Sequence, residues 1–292
     1  MDIAVRLLNA LLMIAMPLAL GAFLVRRWRL EWRIYLIGMA TFLASQVLHI
    51  PFNAVLIPPL AERLGVAGAS GGLPLAGLAL MLGLSAGLFE EGARYLVYRT
   101  WLLKERSWRG ALLFGAGHGG LESLLVGLLA LFAFFQAVAY READLGSVLP
   151  PDRVGLAVSQ LHAYWSAPPA MAILGALERA MALLIQMGLA VFVLQAFVRR
   201  QVRWLWFAIG WHALVDSSAV YAVGASGAYA AEGVVALLSV ATFGITLALP
   251  GKNLQAQPTK SEPGPVTPLG KAQPSTGFEA VSNETLENSR YE

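Results

Sequence analysis

The sequence predicts an all-α, polytopic transmembrane bundle of about seven spans, and three observations carry that reading. Of 292 residues, 57% are hydrophobic and only 13% charged, and a mean hydropathy of +0.62 lies far above the balance of an ordinary soluble domain. Several apolar stretches run about 20 residues, the length a helix rising 1.5 Å per residue needs to cross a hydrocarbon core of about 30 Å. Cations gather between alternate stretches and largely avoid their interiors.

The first stretch, from about Ile3 to Val25, is longer than a signal-peptide core, has no basic leader and is followed by more spans, so it reads as a first transmembrane helix. Further spans are expected near 34–57, 73–98, 110–138, 170–197, 204–224 and 228–249. The links after the first, third and fifth spans carry Arg26, Arg27, Arg29 and Arg33; Arg99, Lys104, Arg106 and Arg109; and Arg199, Arg200 and Arg203. The remaining links hold only Arg63, Arg141 and Arg153. By the positive-inside rule the rich set is cytoplasmic, which predicts an outward N-terminus and an inward C-terminus. The formal charge of +3 therefore describes topology, and no nucleic-acid partner is expected. The partners expected from composition are membrane lipids, and the location a cell membrane.

Between Tyr140 and Pro169 the chain is too polar and proline-punctuated to span, but Val154 to Trp165 is amphipathic enough to lie on the outer surface and cap the bundle. From Pro250 onward the composition turns to Pro, Ser, Thr, Gln, Glu and Lys, which cannot bury enough surface to offset chain entropy. The expected organisation is a transmembrane domain over 1–249 and a disordered cytoplasmic tail over 250–292. The absence of cysteine excludes disulfides, thiol nucleophiles and thiolate metal sites, so any metal needs His, Asp or Glu.

Several spans contain residues that hydrocarbon disfavours. Glu90, Glu91 and Arg94 fall in the third, where each ion costs on the order of 2.5–3.5 kcal/mol at mid-helix. Spacings of i,i+4 and i,i+3 let Arg94 reach either carboxylate and leave one free for another partner or for chemistry. The fourth span pairs His118 with Glu122, the sixth His212 with Asp216, and the second His49 with Asn53, each at i,i+4 and so on one helix face. Counting from the arginine-rich links places Glu90, His118 and His212 in one layer roughly 13–14 Å deep, with Glu122, Asp216 and His49 in a second layer about 20–24 Å deep. Glu178 and Arg179 lie further out; being adjacent, they point to different faces and are expected to bond neighbouring helices, not each other. Small residues, including Gly115, Gly117, Gly119 and Gly120, permit close helix approach around the layer. Taken alone, EExxxR is equally a structural ion pair, HxxxN a hydrogen-bonded tie, and Trp204, Trp206 and Trp211 an interface belt; the shared depth favours a functional centre.

EEGAR (Glu90 to Arg94), FGAGH (Phe114 to His118) and HALVD (His212 to Asp216) on three separate helices resemble the motifs of the type II CAAX prenyl endopeptidase, or CPBP, intramembrane proteases. GHGGLES, the Glu178-Arg179 pair and HIPFN resemble its YhfC branch. The resemblance covers about His49 to Asp216 and implies peptide hydrolysis in the bilayer, with a peptide or membrane-protein substrate as the expected partner. It makes Glu90 the general base on a water, helped by His118, with Arg94 orienting the acidic pair and His212 and position 216 stabilising the oxyanion. Asp216 stands where many relatives have Asn; an ionised Asp cannot donate to an oxyanion, so it is protonated, orients His212, or serves a metal. Glu91 joins the catalytic set, and Glu122, His49, Asn53, Glu178 and Arg179 are supporting or proton-relay candidates. A zinc held by His118, His212 and Glu90 is compatible with this set, although the HExxH signature is absent. A noncatalytic scaffold or substrate-binding protein and a proton-coupled transporter are the alternatives, the latter without a convincing internal repeat.

Overall fold

A computed structural model describes residues 2–249; the expected tail over 250–292 lies outside the described residues. Among the described residues eleven helices follow in order: α1 (Asp2–Trp28), α2 (Trp32–Val55), α3 (Ile57–Arg63), α4 (Gly72–Thr100), α5 (Trp108–Ala139), α6 (Leu145–Val148), α7 (Pro151–Ser166), α8 (Pro169–Ala172), α9 (Leu174–Val198), α10 (Arg203–Ser226) and α11 (Ala228–Ala248). No strand occurs among the described residues. The molecule is a multi-pass membrane protein. Among the described residues six helical segments are long and apolar enough to cross a membrane. The seventh expected span, α10, has 24 residues, enough to cross, but His212, Asp216, Ser217 and Ser218 dilute its apolar composition.

Aromatic and cationic side chains tie the helix ends into two groups. At one end Trp28 packs on Trp108, Trp108 Nε1 donates to Thr246 O at 3.1 Å, and Arg106 donates to Tyr98 O while lying 4.4 Å from the Phe197 ring centroid. This is the arginine-rich end. At the other, Arg6 donates to Ala167 O at 2.7 Å, Asn9 Oδ1 accepts from Ala176 N, and Trp165 Nε1 donates to Ala137 O. Helix α7 lies at this second end against the N-terminal part of α1 and the end of α5, bounded by Pro150-Pro151 and Pro168-Pro169. None of its residues is fully buried, and Arg6 fastens it through cation–π contacts with Tyr164 and Trp165. Burial beside the bundle raises the Tyr164 phenol above its usual range, with Arg6 opposing the shift.

The expected aromatic belt on α10 is only partly present. Trp206 is exposed, but Trp211 turns inward and donates to Thr242 Oγ1 at 2.8 Å, and Trp204 packs on Phe207 beneath Arg199. The indole N–H of Trp211 is better satisfied by a hydroxyl on α11 than by lipid.

Five helices close around one centre in the order α4, α2, α5, α9, α10, with α10 returning to α4. Glycines set how near they approach. A Cβ on Gly38 would stand 2.8 Å from His118 N, and one on Gly117 2.8 Å from the Tyr35 carbonyl carbon, so α2 and α5 touch backbone to backbone. On the opposite face of α5, a Cβ on Gly119 would stand 2.8 Å from Gln186 Cβ. Gly117→Ala is expected to push α2 from α5 and to lower stability by about 1–3 kcal/mol, read as a fall in the thermal midpoint of purified protein in detergent.

Candidate intramembrane site

Glu90 sits at the centre of the ring and is 6% exposed. Its Oε2 lies 3.0 Å from His118 Nε2 on α5, 3.4 Å from Gln186 Nε2 on α9, and 3.9 Å from both His212 Nε2 on α10 and Arg94 Nη2. Its Oε1 accepts from Gln46 Nε2 of α2 at 3.2 Å. The first layer expected from the sequence, Glu90 with His118 and His212, is thus one cluster in space.

Glu91 points to another side of α4, as a one-residue step of about 100° requires. Its Oε1 accepts from Arg94 Nη1 at 2.5 Å and from His212 Nδ1 at 2.7 Å, and all three side chains are almost wholly buried. Arg94 spends its other terminal nitrogen on Gln186 Oε1. Since Nδ1–H of His212 is committed to Glu91, its Nε2 faces both Glu90 and, at 3.5 Å, Asp216 Oδ2. That nitrogen is available to hold a proton or a ligand against the two acids.

The second layer does not form as one group. Glu122 turns to α9, accepting from Gln186 Nε2 at 2.9 Å and from Arg179 Nη1 at 2.7 Å. His49 stays on the α2–α4 side: Nδ1 faces Gln46 Oε1 at 3.3 Å, and Nε2 lies 3.0 Å from Asn53 Nδ2 and 3.2 Å from Ser85 Oγ. Ser85 in turn donates to Asn53 Oδ1 at 2.8 Å. Depth counting fixes height but not azimuth, which is why residues at one height belong to different branches. The expectation that adjacent Glu178 and Arg179 do not pair is also corrected. Arg179 bridges Glu122 and Glu178, because a guanidinium on a long stem presents donors in several directions and spans the angle between neighbouring positions.

Three participants, Gln46, Gln186 and Ser85, were not singled out from the sequence. A signal existed for two of them. Gln46 precedes His49 by three residues and Asn53 by seven, and Gln186 follows Arg179 by seven, so each extends a polar face already marked.

A metal is a matter of fit. No group of three or more His, Asp or Glu side chains among the described residues has its donors arranged to hold an ion as they stand. His118 and Glu90 instead share a hydrogen bond. The donor set is nonetheless of the right kind, since a tetrahedral ion with bonds of about 2.0–2.2 Å holds its donor atoms roughly 3.3–3.5 Å apart. The separations from Glu90 Oε2 to His118 Nε2 and to His212 Nε2, 3.0 and 3.9 Å, bracket that spacing. Glu91 behind His212 is the kind of carboxylate that orients a ligating imidazole.

A multi-pass bundle with buried acids and histidines converging from separate helices defines an intramembrane polar-site protein. More specifically, the chain belongs to the YhfC intramembrane metalloprotease family, whose model matches residues 12–239 and so spans every residue of the cluster. It is 35% identical over 139 residues to the "Uncharacterized membrane protein YhfC" of Bacillus subtilis (strain 168), a match covering 47% of this chain and 54% of that protein. The aligned part thus spans about half the length of that relative. No solved structure matches.

Arg94 is wholly buried and neutralises Glu91. Arg94→Leu leaves the buried Glu91 carboxylate without its cation, held only by His212 Nδ1, and is expected to cost about 3–5 kcal/mol, whereas Arg94→Leu combined with Glu91→Leu recovers much of the loss; thermal unfolding of the purified variants reads both.

Proposed function

We propose that the chain is a peptide hydrolase acting inside the membrane, with Glu90 as the base that activates a water. The observation that carries this reading is the single Glu90 oxygen faced by His118 Nε2 at 3.0 Å and His212 Nε2 at 3.9 Å, each imidazole from a different helix. A carboxylate with an imidazole at hydrogen-bond distance can take a proton from water and share it, and the family name supports peptide-bond cleavage as the reaction.

In this reading Glu90 removes the water proton as the oxygen attacks the peptide carbonyl, and His118 Nε2 shares that proton and delivers it to the departing amine. His212 Nε2, carrying a proton, donates to the developing oxyanion. Glu91 holds His212 by Nδ1 so that Nε2 keeps this orientation, and Arg94 fixes Glu91. Asp216, at 3.5 Å from the same Nε2, faces the imidazole as an acceptor and makes no direct donation as a carboxylate. Glu122, backed by Arg179 and Glu178, holds Gln186, and His49, backed by Asn53, holds Gln46. A divalent ion such as zinc, bound by His118, His212 and Glu90, would supply Lewis-acid polarisation of the water and the carbonyl.

Peptides spanning a proteoliposome membrane and read by mass spectrometry test the reading. Glu90→Gln and His118→Ala are each expected to lower the cleavage rate by about 10²–10⁴ while the thermal midpoint stays near that of the parent. Parental cleavage in both variants would sink the assignment. Elemental analysis of the purified protein separates the two chemistries: a stoichiometric ion lost in both His118→Ala and His212→Ala makes the enzyme metal-dependent, and an active, metal-free protein makes it glutamate-dependent.

A further inference from the structure

The polarity around Glu90 is one-sided. Toward the arginine-rich end the space beyond the cluster is filled by Tyr98, Leu102, Leu113, Phe114, Leu189 and Phe192, each no more than 1% exposed. Tyr98 closes that side further by donating to Ala190 O at 3.2 Å and accepting from Arg106 through its carbonyl. No water path leads through such a plug, which is packed at the density of a protein interior.

Toward the α7 end the pattern reverses. One branch runs from Glu90 through Gln46 to His49, Asn53 and Ser85, and Gln46, His49 and Asn53 are all partly exposed. Across from it the Asp216 side chain is 39% exposed. Both rims lead back to Glu90: His49 through Gln46, and Asp216 through His212 Nε2, which lies 3.5 Å from Asp216 Oδ2 and 3.9 Å from Glu90 Oε2. The second branch, from Gln186 through Glu122 and Arg179, also ends outward, at a Glu178 side chain that is 41% exposed.

Depth decides what this exposure means. Asp216 lies ten residues before the end of α10 at Ser226, about 15 Å below that end. A carboxylate exposed to hydrocarbon at such depth is strongly disfavoured, so the surface that Asp216, His49 and Asn53 expose faces water. Helices α2 and α10 flank α4 on either side and do not pack closely on one another, so no direct contact between them closes the space above Glu90 on the α7 side. Pro51, between His49 and Asn53, also removes one helical hydrogen bond from this rim.

We propose that the Glu90 site is entered only from the α7 face, through a water-filled mouth between α2 and α10 bordered by His49, Asn53 and Asp216. Its occupant is a polypeptide segment presenting its scissile bond from that half of the bilayer; this second statement rests on the hydrolase reading, and the first does not. A substrate bond offered at the arginine-rich surface is out of reach.

The native chain has no cysteine, so single-cysteine variants report without background. In sealed vesicles, a membrane-impermeant maleimide is added from one side or the other to Asn53→Cys and Val220→Cys, the latter one turn outward of Asp216. Ser159→Cys on α7 marks one face and Arg99→Cys the other. Both mouth variants are expected to label from the face that labels Ser159→Cys, several-fold faster than from the face that labels Arg99→Cys. Labelling from the Arg99→Cys face, or from neither face, overturns the proposal. Because no substrate is needed, a labelled mouth with no cleavage would remove the hydrolase reading and leave the route standing.

Discussion

The structure depends on the burial of one guanidinium. Arg94 is wholly enclosed in the middle of a membrane bundle, where an isolated cation is among the costliest groups a helix can carry. It is tolerated because Glu91 binds it at 2.5 Å, Gln186 accepts a second bond, and Glu90 stands 3.9 Å away. Each of those partners has needs of its own. Glu91 draws in His212 from α10, Glu90 draws in His118 from α5, and the surplus negative charge calls for donors from α2 and α9. One buried ion therefore specifies the meeting of five helices in a way that apolar contacts, which are equally satisfied by lipid, do not.

The two ends of the bundle solve different problems around that centre. At the arginine-rich end, indole and phenol groups interlock over a packed apolar plug. At the other, contacts are fewer and more polar, and the covering helix α7 is fastened at its C-terminal end by Arg6 and Trp165 without burying any residue completely. The polar centre needs connection to water if protons are to enter or leave it, and rigidity behind it if its geometry is to persist. A sealed arginine-rich side with a wetter α7 side meets both requirements.

Much of this was legible in the sequence because membrane burial forces it to be. Every backbone group must be satisfied within a helix, so hydropathy located the spans to within a few residues. Rise per residue then carried Glu90, His118 and His212 to one height, and the structure joins them. Azimuth was not legible. Nothing in the spacing of Glu122 or His49 states which neighbour its face meets, and the sequence therefore grouped by depth residues that belong to separate branches. The pairing of Glu178 with Arg179 was missed for a related reason, because backbone direction was taken for side-chain reach. Gly115 and Gly119 were recognised as sites of close approach, but their partner, Gln186, becomes evident only once α9 is seen against α5.

That partner explains how charge is managed without adding more of it. Gln186 receives a hydrogen bond from Arg94 at its oxygen and gives its amide protons to Glu90 and Glu122, and the chemistry of those neighbours fixes which way the amide points. Gln46 repeats the arrangement on α2, with His49 at its oxygen and Glu90 at its nitrogen. A neutral group that donates at one end and accepts at the other can join a cation to an anion, or two acids to each other's surroundings, with a desolvation cost far below that of another ion. A lysine in either position would pin Glu90 in a direct ion pair, and an aliphatic residue would leave the carboxylate underbonded. The two amides hold Glu90 from separate helices, one at each carboxylate oxygen, and add no further ion to the centre.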